Sequence, residues 1–406
     1  MKMVRIALFG GTFDPFHLAH LRLVNKVSAL GKYDEIIVMP TGPSPHKERR
    51  ISFAGYRFET VRLALSSSEE RASVSDAEIV ETGASYTIRT VQYLKNKYFE
   101  ESGVEARIDL LIGSDSLLAI GHWYKSNQLL KEVDLLVAVR GNGQDERIRA
   151  AADCLRQKYQ VRIDFLEWEP VTISSTEIRA RLIAGESADH LLPAAVSDFL
   201  SEQQVFSFAD EMSVFNEQDW SYLQRLEQLQ WPLLDQERRV HVLNVMQYAV
   251  HLALKHNVDP RQAAVAGLLH DIAKNLPLSE QYDLSRDGFE ELHDKIVHAP
   301  ASATFVSSEL GISDQDICSA IRWHTTAHPQ LSDLGKIIYL ADKIEYGREF
   351  KSLPPIRERA EHDLDGAMLL CMSEVFCALR RQGLPAHPYT LAAYETIMRR
   401  NSGKQA

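Results

Sequence analysis

Short apolar, β-branched runs recur through the first two hundred residues: Val4–Phe9, Glu35–Met39, Ile108–Ile112, Leu135–Val139 and Val161–Leu166. Runs of this length, bounded by turn residues, predict strands buried on both faces. Between them, Tyr56–Leu65 and Tyr86–Tyr98 have the apolar spacing of helices. Strands alternating with helices predict an α/β domain with a doubly wound, Rossmann-like parallel sheet. From about Asp219 the pattern changes, and helical spacing runs through Arg238–His256, Pro260–Ala273, His298–Leu310, Asp314–His324 and Leu334–Tyr346. An all-α domain is expected there. The boundaries that follow are a first domain over 1–207, a polar, acidic linker over 208–218, and a second domain over 219–406. Severing the chain near residue 212 is then expected to leave both halves working.

Composition narrows the function classes. The chain has 406 residues, 45% hydrophobic and 25% charged, which is enough for two or three cored domains and excludes a disordered chain. Its net charge of −11 argues against a nucleic-acid partner, and any anionic substrate needs a local cluster of cations or metal. The four cysteines, Cys154, Cys318, Cys371 and Cys377, form no paired motif, which fits a reducing compartment without a disulfide framework or thiolate zinc site. No apolar run approaches a membrane span, and the opening run is too short for a signal peptide. A cytoplasmic protein with no membrane partner is expected, and self-association into a homo-oligomer is left open. Eight of the fifteen histidines lie between His241 and His328, pointing to metal or phosphate chemistry in the second half.

In the first half, the first predicted strand runs into Gly10-Gly11-Thr12-Phe13-Asp14-Pro15-Phe16-His17-Leu18-Ala19-His20. Two glycines let the backbone approach a ligand, and a following helix offers free N–H groups to a phosphate. His17 and His20, three apart, share a face of its first turn. After the second strand, Thr41–Arg50 carries His46, Lys47, Arg49 and Arg50 on a proline-stiffened loop. Further on, Ile173-Ser174-Ser175-Thr176-Glu177-Ile178-Arg179 has capping-box spacing, Ser174 to Glu177, and a cation beside a helix start. Each string taken alone is ordinary: a glycine turn, a solvated basic loop, a helix cap. Together with Ser85-Tyr86-Thr87, Ile112-Gly113-Ser114-Asp115-Ser116-Leu117 and Trp123, in this order, they resemble the bacterial nicotinate mononucleotide adenylyltransferases over about residues 3–205.

That resemblance implies transfer of AMP from ATP, carried with Mg2+, to nicotinate mononucleotide, giving the dinucleotide and pyrophosphate. It implies that His17 and His20 hold the ATP phosphates, that Lys47 contacts the mononucleotide phosphate, and that Ser175 and Arg179 contact the triphosphate. Trp123 would stack on the pyridine ring with Tyr86 and Thr87 beside its carboxylate, and Asp115 would lie near the ribose or the metal. Gly10, Gly11, Thr12, Phe13, His46, Gly113 and Ser174 complete the implied substrate contacts. Two departures stand out: Arg89 where an acid is usual, which leaves nicotinate against nicotinamide open, and Ser44 where a second proline is usual. Phosphopantetheine adenylyltransferase, with a similar opening motif, is the alternative for this half.

In the second half, the apolar run Ala263–Leu269 ends in His270-Asp271, followed by Lys274. An adjacent His and Asp at the end of a buried helix cost burial energy unless something satisfies them, and alone they read as a helix cap. With His241, His298, His324 and Asp342, each in or beside an apolar helical pattern, they make four imidazoles and two carboxylates. That set suits two divalent ions and phosphoryl hydrolysis by in-line attack. Leu268-Leu269-His270-Asp271, Arg322-Trp323-His324-Thr325-Thr326 and Tyr339-Leu340-Ala341-Asp342-Lys343-Ile344-Glu345 resemble the HD-domain phosphohydrolases that cleave diadenosine tetraphosphate symmetrically into two ADP.

The resemblance covers about residues 219–395. It implies His241, His270, Asp271, His298, His324 and Asp342 as ligands of two metals, iron or manganese, Asp271 acting in catalysis, and Lys274 on a substrate phosphate. Ala327-His328 stands where the family has Gly-Arg, so His328 is expected to replace an arginine imperfectly. His251, His256 and His293 are read as helix-surface residues. Hydrolysis of a guanosine polyphosphate or a cyclic nucleotide, or a metal-free sensor role, are the alternatives for this half.

Overall fold

The computed structural model describes residues 3–42, 50–66, 71–81, 85–140, 146–169, 173–285 and 293–403. His46 and Lys47 lie outside the described residues. The chain divides into two compact units, Met1–Phe199 and Leu200–Ala406.

The first unit is built on a parallel sheet of six strands: β1 (Met3–Gly11), β2 (Glu35–Pro40), β3 (Ala72–Val74), β4 (Glu105–Gly113), β5 (Asp134–Arg140) and β6 (Ile163–Trp168), in the order β3-β2-β1-β4-β5-β6. The five expected strands are present. β3, at three residues on the sheet's edge, is too short to leave a pattern in the sequence. The helices Ala54–Ser66 and Thr87–Ser102 stand where they were expected. Ile6, Leu8, Ile108, Leu110, Leu135 and Val137 are almost wholly buried at the sheet's centre, which is why these runs read as continuously apolar. Strand order reverses between β1 and β4, whose register pairs Leu8 with Leu110. Ligands of such sheets bind outside the carboxyl ends of the strands at that reversal. Gly10, Gly11 and Gly113 all sit at those ends.

The second unit is helical among its described residues. Five of its helices were expected: Gln236–Lys255, Pro260–Leu269, His298–Ser308, Gln315–Trp323 and Asp333–Ile344. Four of these starts follow from caps: Asp235, Asp259, Asp314 and Ser332 each accept a bond from a first-turn backbone N–H. Six further α-helices, among them Glu217–Gln230, Leu364–Gln382 and Pro388–Gly403, were not read from the sequence.

The stretch 208–218 is not a free linker. Val205, Phe208, Met212 and Phe215 are buried, and Phe208 packs on Tyr248 and Tyr346 within the second unit. Its polar residues lie between these apolar anchors, which is why its composition reads as a linker. A cut near residue 212 would therefore open the second unit's core, contrary to expectation. Among the described residues no helix is long and apolar enough to cross a membrane. The four cysteines are unpaired, as expected.

Helix Pro260–Leu269 is buried all round from Ala263 to Leu269, so its seven-residue apolar run has no polar face. It lies so close to helix Gln236–Lys255 that a Cβ on Gly267 would stand 2.9 Å from the Met246 Cα and 3.2 Å from the Val245 carbonyl oxygen. Neither backbone can yield locally. Gly267→Ala is accordingly expected to destabilise this unit by about 1–3 kcal/mol, the usual range for overpacking, read as a lower thermal midpoint.

Candidate active sites

In the first unit, β1 ends in a loop held by side chains from two later segments of the chain. Phe13 adopts a left-handed φ of 50°, and its ring lies where a Cβ on Gly11 would be, 2.7 Å away. Gly11 thus makes room for Phe13, whereas a Cβ on Gly10 would meet nothing within 4 Å. From one of these segments, buried Arg57 donates to the carbonyls of Ser52, Thr12 and Thr41, each at 2.9 Å. From the other, around residue 175, Ser175 Oγ donates to the Pro15 carbonyl at 3.1 Å and Arg179 to the Asp14 carbonyl at 2.6 Å. Phe9, Gly10, Gly11, Thr12, Phe13, Asp14, His20, Ser175 and Thr176 line a cavity of about 360 Å³.

His17 precedes helix Leu18–Ser28 and stacks on His20 with ring centroids 3.6 Å apart. The His17 backbone N–H donates to His20 Nδ1 at 3.3 Å, which leaves the His20 proton on Nε2. Burial pushes the His17 imidazole down to about 4, and burial together with His17 holds His20 well below the usual range. Both rings are neutral N–H donors near pH 7.

The remaining expected residues occupy helix starts. Ser174 caps helix Ser175–Ile183 by accepting from the Glu177 N–H at 3.1 Å, while the Glu177 carboxylate turns to Arg181 at 3.1 Å. Tyr86 precedes helix Thr87–Ser102 and stacks on Tyr124 at 4.2 Å, with the Arg89 guanidinium over its other neighbourhood at 5.4 Å from the ring centroid. Gly113 precedes helix Ser114–Ala119, whose first turn carries exposed Asp115. Trp123 is half-buried and packs against the sheet's core. Arg57 and Tyr124 were missed by sequence reasoning; neither lies in a motif, although Arg57 interrupts an otherwise apolar helical pattern.

In the second unit all six expected ligands converge. His241, His270 and Asp342 form one group, and His270, Asp271 and His324 another, with ligand atoms in each within 4.8 Å of one another. His298 Nε2 stands 3.2 Å from Asp271 Oδ1. His270 and His324 follow the last turns of helices Pro260–Leu269 and Gln315–Trp323. There the final carbonyls have no intrahelical partner. Each ring uses one: His270 Nδ1 donates to the Gly267 carbonyl at 2.8 Å and His324 Nδ1 to the Ile321 carbonyl at 2.7 Å. Their Nε2 lone pairs are thereby left for the cluster.

Burial pushes the His270 imidazole down to about 3 and that of His298 to about 4, so both are neutral. Burial opposes charge on Asp271, yet the surrounding imidazoles hold its carboxyl well below the usual range. Buried His270 Nε2 and Asp271 Oδ1 have no hydrogen-bond partner. An orphaned lone pair beside an orphaned carboxylate oxygen, among neutral imidazoles, fits divalent metal.

Four cations surround the cluster. Arg238 donates to Asp271 Oδ2 at 2.7 Å, Arg348 to Asp342 Oδ1 at 3.2 Å, Lys343 to Asp342 Oδ2 at 3.1 Å, and Lys274 Nζ lies 3.0 Å from His298 Nδ1. Lys274 was expected; Arg238 and Arg348 were not. Their signal was positional, since they flank His241 and Glu345 in sequence. His328 packs instead among rings, 4.6 Å from Trp323 and 5.1 Å from Tyr389. Ala327 before it keeps a left-handed φ of 58°, the backbone form a glycine would take freely. His251 bridges Glu211 and Glu361, at 3.0 and 2.7 Å, and His256 donates to the Ala360 carbonyl at 2.6 Å, so both tie helices together.

Two outcomes are expected for the first unit. Arg57→Met strips three carbonyls of their donor and should destabilise it by about 2–4 kcal/mol in denaturant titration, with unfolding cooperative in wild type. His17, free to bind a proton near 6.5 when unfolded but only near 4 when folded, makes the unfolded chain the better proton binder between those values. Stability should therefore fall as pH drops from 6.5 towards 4, by up to about 3 kcal/mol from this residue. His17→Asn should flatten that dependence.

Residues 8–181 match the cytidylyltransferase-like family model, and residues 238–347 match the HD domain. The chain is 32% identical over 203 residues to a "Probable nicotinate-nucleotide adenylyltransferase" of Caldicellulosiruptor bescii, covering 50% of this chain and 99% of that protein. It is 36% identical over 176 residues to the "Bis(5'-nucleosyl)-tetraphosphatase, symmetrical" of Halalkalibacterium halodurans, covering 42% of this chain and 94% of that protein. A "Probable nicotinate-nucleotide adenylyltransferase/Ap4A hydrolase" of Mycoplasma pneumoniae aligns across both units, 28% identical over 341 residues, 83% of this chain and 88% of that one. The chain thus belongs to the nicotinate-nucleotide adenylyltransferase family through one part of its length and to the HD-domain symmetrical bis(5'-nucleosyl)-tetraphosphatase family through another.

Proposed function

We propose that the protein is a bifunctional cytoplasmic enzyme acting on adenosine phosphates. The first unit transfers AMP from ATP to nicotinate mononucleotide, and the second hydrolyses diadenosine tetraphosphate to two ADP. The observation that carries this reading is the presence, in one chain, of two sites of different chemistry: a neutral, N–H-rich cavity at the reversal point of a parallel sheet, and a buried His/Asp cluster with orphaned ligand atoms.

In the first reaction a mononucleotide phosphate oxygen attacks the α-phosphorus, the bond to the β-phosphate oxygen breaks, and pyrophosphate leaves with Mg2+. No group on the enzyme becomes covalently attached, so catalysis is positioning and charge stabilisation. His20 donates from Nε2 to the phosphates, and His17 supports it through stacking. The start of helix Ser175–Ile183 offers N–H groups to the triphosphate, with Ser175 and Arg179 beside it. Lys47 and His46 serve the mononucleotide phosphate, Asp115 the ribose or Mg2+, and Trp123, Tyr86 and Thr87 the pyridine ring, a platform that Tyr124 extends.

In the second reaction His241, His270, Asp271, His298, His324 and Asp342 would hold two divalent ions, iron or manganese, which supply Lewis acidity and phosphoryl charge neutralisation. Arg238, Arg348 and Lys274 rest on ligand side chains and can turn to the polyphosphate as it enters. They supply the positive charge that His328, held among aromatic rings, does not.

The two activities should separate by mutation. With diadenosine tetraphosphate and Mn2+, anion-exchange chromatography is expected to show two ADP, falling by at least ~100-fold in Asp271→Ala while dinucleotide synthesis stays at the wild-type rate. His20→Ala should do the reverse. ATP plus AMP would mean that the second site grips its substrate off-centre. Absence of turnover with this substrate would turn the reading towards guanosine polyphosphates, cyclic nucleotides or a sensor role.

A further inference from the structure

His270 and His324 orient themselves with carbonyls of their own helices, because both sit at helix ends. His241 cannot. It lies inside helix Gln236–Lys255, where the carbonyl three residues back belongs to the helix's own ladder. An imidazole inside a helix needs its orienting acceptor from elsewhere.

That acceptor is Glu345. Its Oε1 stands 3.1 Å from His241 Nδ1, while His241 Nε2 faces Asp342 Oδ1, also at 3.1 Å. The carboxylate is itself buried, 2% exposed, and is held in place on its other oxygen. Glu345 Oε2 accepts from the Gly347 backbone N–H and from Asn244 Nδ2, the latter at 3.1 Å. Asn244 Nδ2 also donates to Gln203 Oε1 at 2.6 Å, so one amide group serves both acceptors. A Cβ on Gly347 would meet all three of these side chains, the nearest being Gln203 Oε1 at 2.6 Å. The chain Gln203–Asn244–Glu345–His241 thus runs through buried and half-buried side chains from the stretch that opens the second unit to the metal cluster.

We infer that Glu345 is the positioning residue of the metal centre: it keeps the His241 proton on Nδ1 and aims Nε2 at the ions, and Asn244 and Gln203 hold it there. The inference rests on the metal-centre reading above. A carboxylate acceptor also makes His241 a stronger ligand than a ring anchored on a neutral carbonyl. Glu345 has no place among the ligands, since it meets the ring on the side facing away from Asp342. Gln203 gives the opening of the second unit, expected from sequence to lie in another domain, a part in building the site.

The test uses the full-length, chelator-stripped protein and Mn2+ as the probe, titrated by calorimetry with free Mn2+ counted by electron paramagnetic resonance. Glu345→Gln keeps the volume but removes the charged acceptor; it is expected to weaken Mn2+ binding by ~10- to 100-fold, as loss of such an orienting partner does elsewhere. Gln203→Ala, at the far end, should weaken it less. The metal-free thermal midpoint is measured alongside, because a purely structural role would lower it and leave Mn2+ affinity unchanged in the folded protein. Wild-type affinity in Glu345→Gln would overturn the inference. If that variant does not fold, ¹⁵N chemical shifts of His241 in the Zn2+-loaded wild type decide: a proton on Nδ1 supports the inference and a proton on Nε2 overturns it. A wild-type chain that takes up no Mn2+ or Zn2+ would overturn the metal-centre reading itself.

Discussion

A carboxylate with almost no access to water governs the second unit. Asp271 is 2% exposed and sits against His270, His298 and His324. Removing an ion from water costs several kcal/mol, and the imidazoles against it return only part of that. The unit responds with cations at the rim, Arg238 on Asp271 and Lys343 and Arg348 on Asp342, and with ligand atoms left unsatisfied at the centre. The helices follow from the same demand. Two of the imidazoles stand where a helix runs out of partners for its last carbonyls, so the backbone that ends the helix also orients the ring.

The first unit handles anions without that expense. Its two site histidines are neutral, and Arg179 is engaged with Asp14 at 3.6 Å. Helix starts and neutral N–H groups can attract an anion without a free cation, which matters in a protein of net charge −11. The buried cation of this region, Arg57, is spent on backbone carbonyls, holding the loop in which Phe13 keeps its left-handed conformation. Residues that adopt such a backbone form persist where their surroundings over-determine them, and here Arg57 and Arg179 bond the carbonyls on either side of Phe13 in the chain, those of Thr12 and Asp14.

Much of this was legible in the chain. The central strands β1, β4 and β5 bury Ile6, Ala7, Leu8, Leu110, Leu111, Leu135, Leu136 and Val137, successive residues on both faces, so their apolar runs are continuous there, and Pro260–Leu269 is buried all round for the same reason. The convergent His/Asp set was legible because aspartate and histidine inside apolar helical patterns conflict with burial unless a site explains them. Less legible were elements with little burial to record: β3 at the sheet's edge, and the amphipathic helices after residue 353. The stretch 208–218 misled because its acidic residues separate buried Phe208, Met212 and Phe215, and Phe208 finds its partners, Tyr248 and Tyr346, only far along the chain.

By itself, then, the sequence determined the order of the two units, the parallel sheet, the helical second half and the identities of the His and Asp side chains that converge in it. These rest on local periodicity and on residue chemistry, both of which can be read along a line. Only the tertiary structure decided which groups support them: Arg57 under the loop of the first site, Arg238 and Arg348 around the cluster, and Glu345 behind His241. Arg238, Arg57 and Glu345 meet their partners across 33, 45 and 104 residues, and a single arginine or glutamate carries no period. Its role exists only once folding has brought the other half of the hydrogen bond to it.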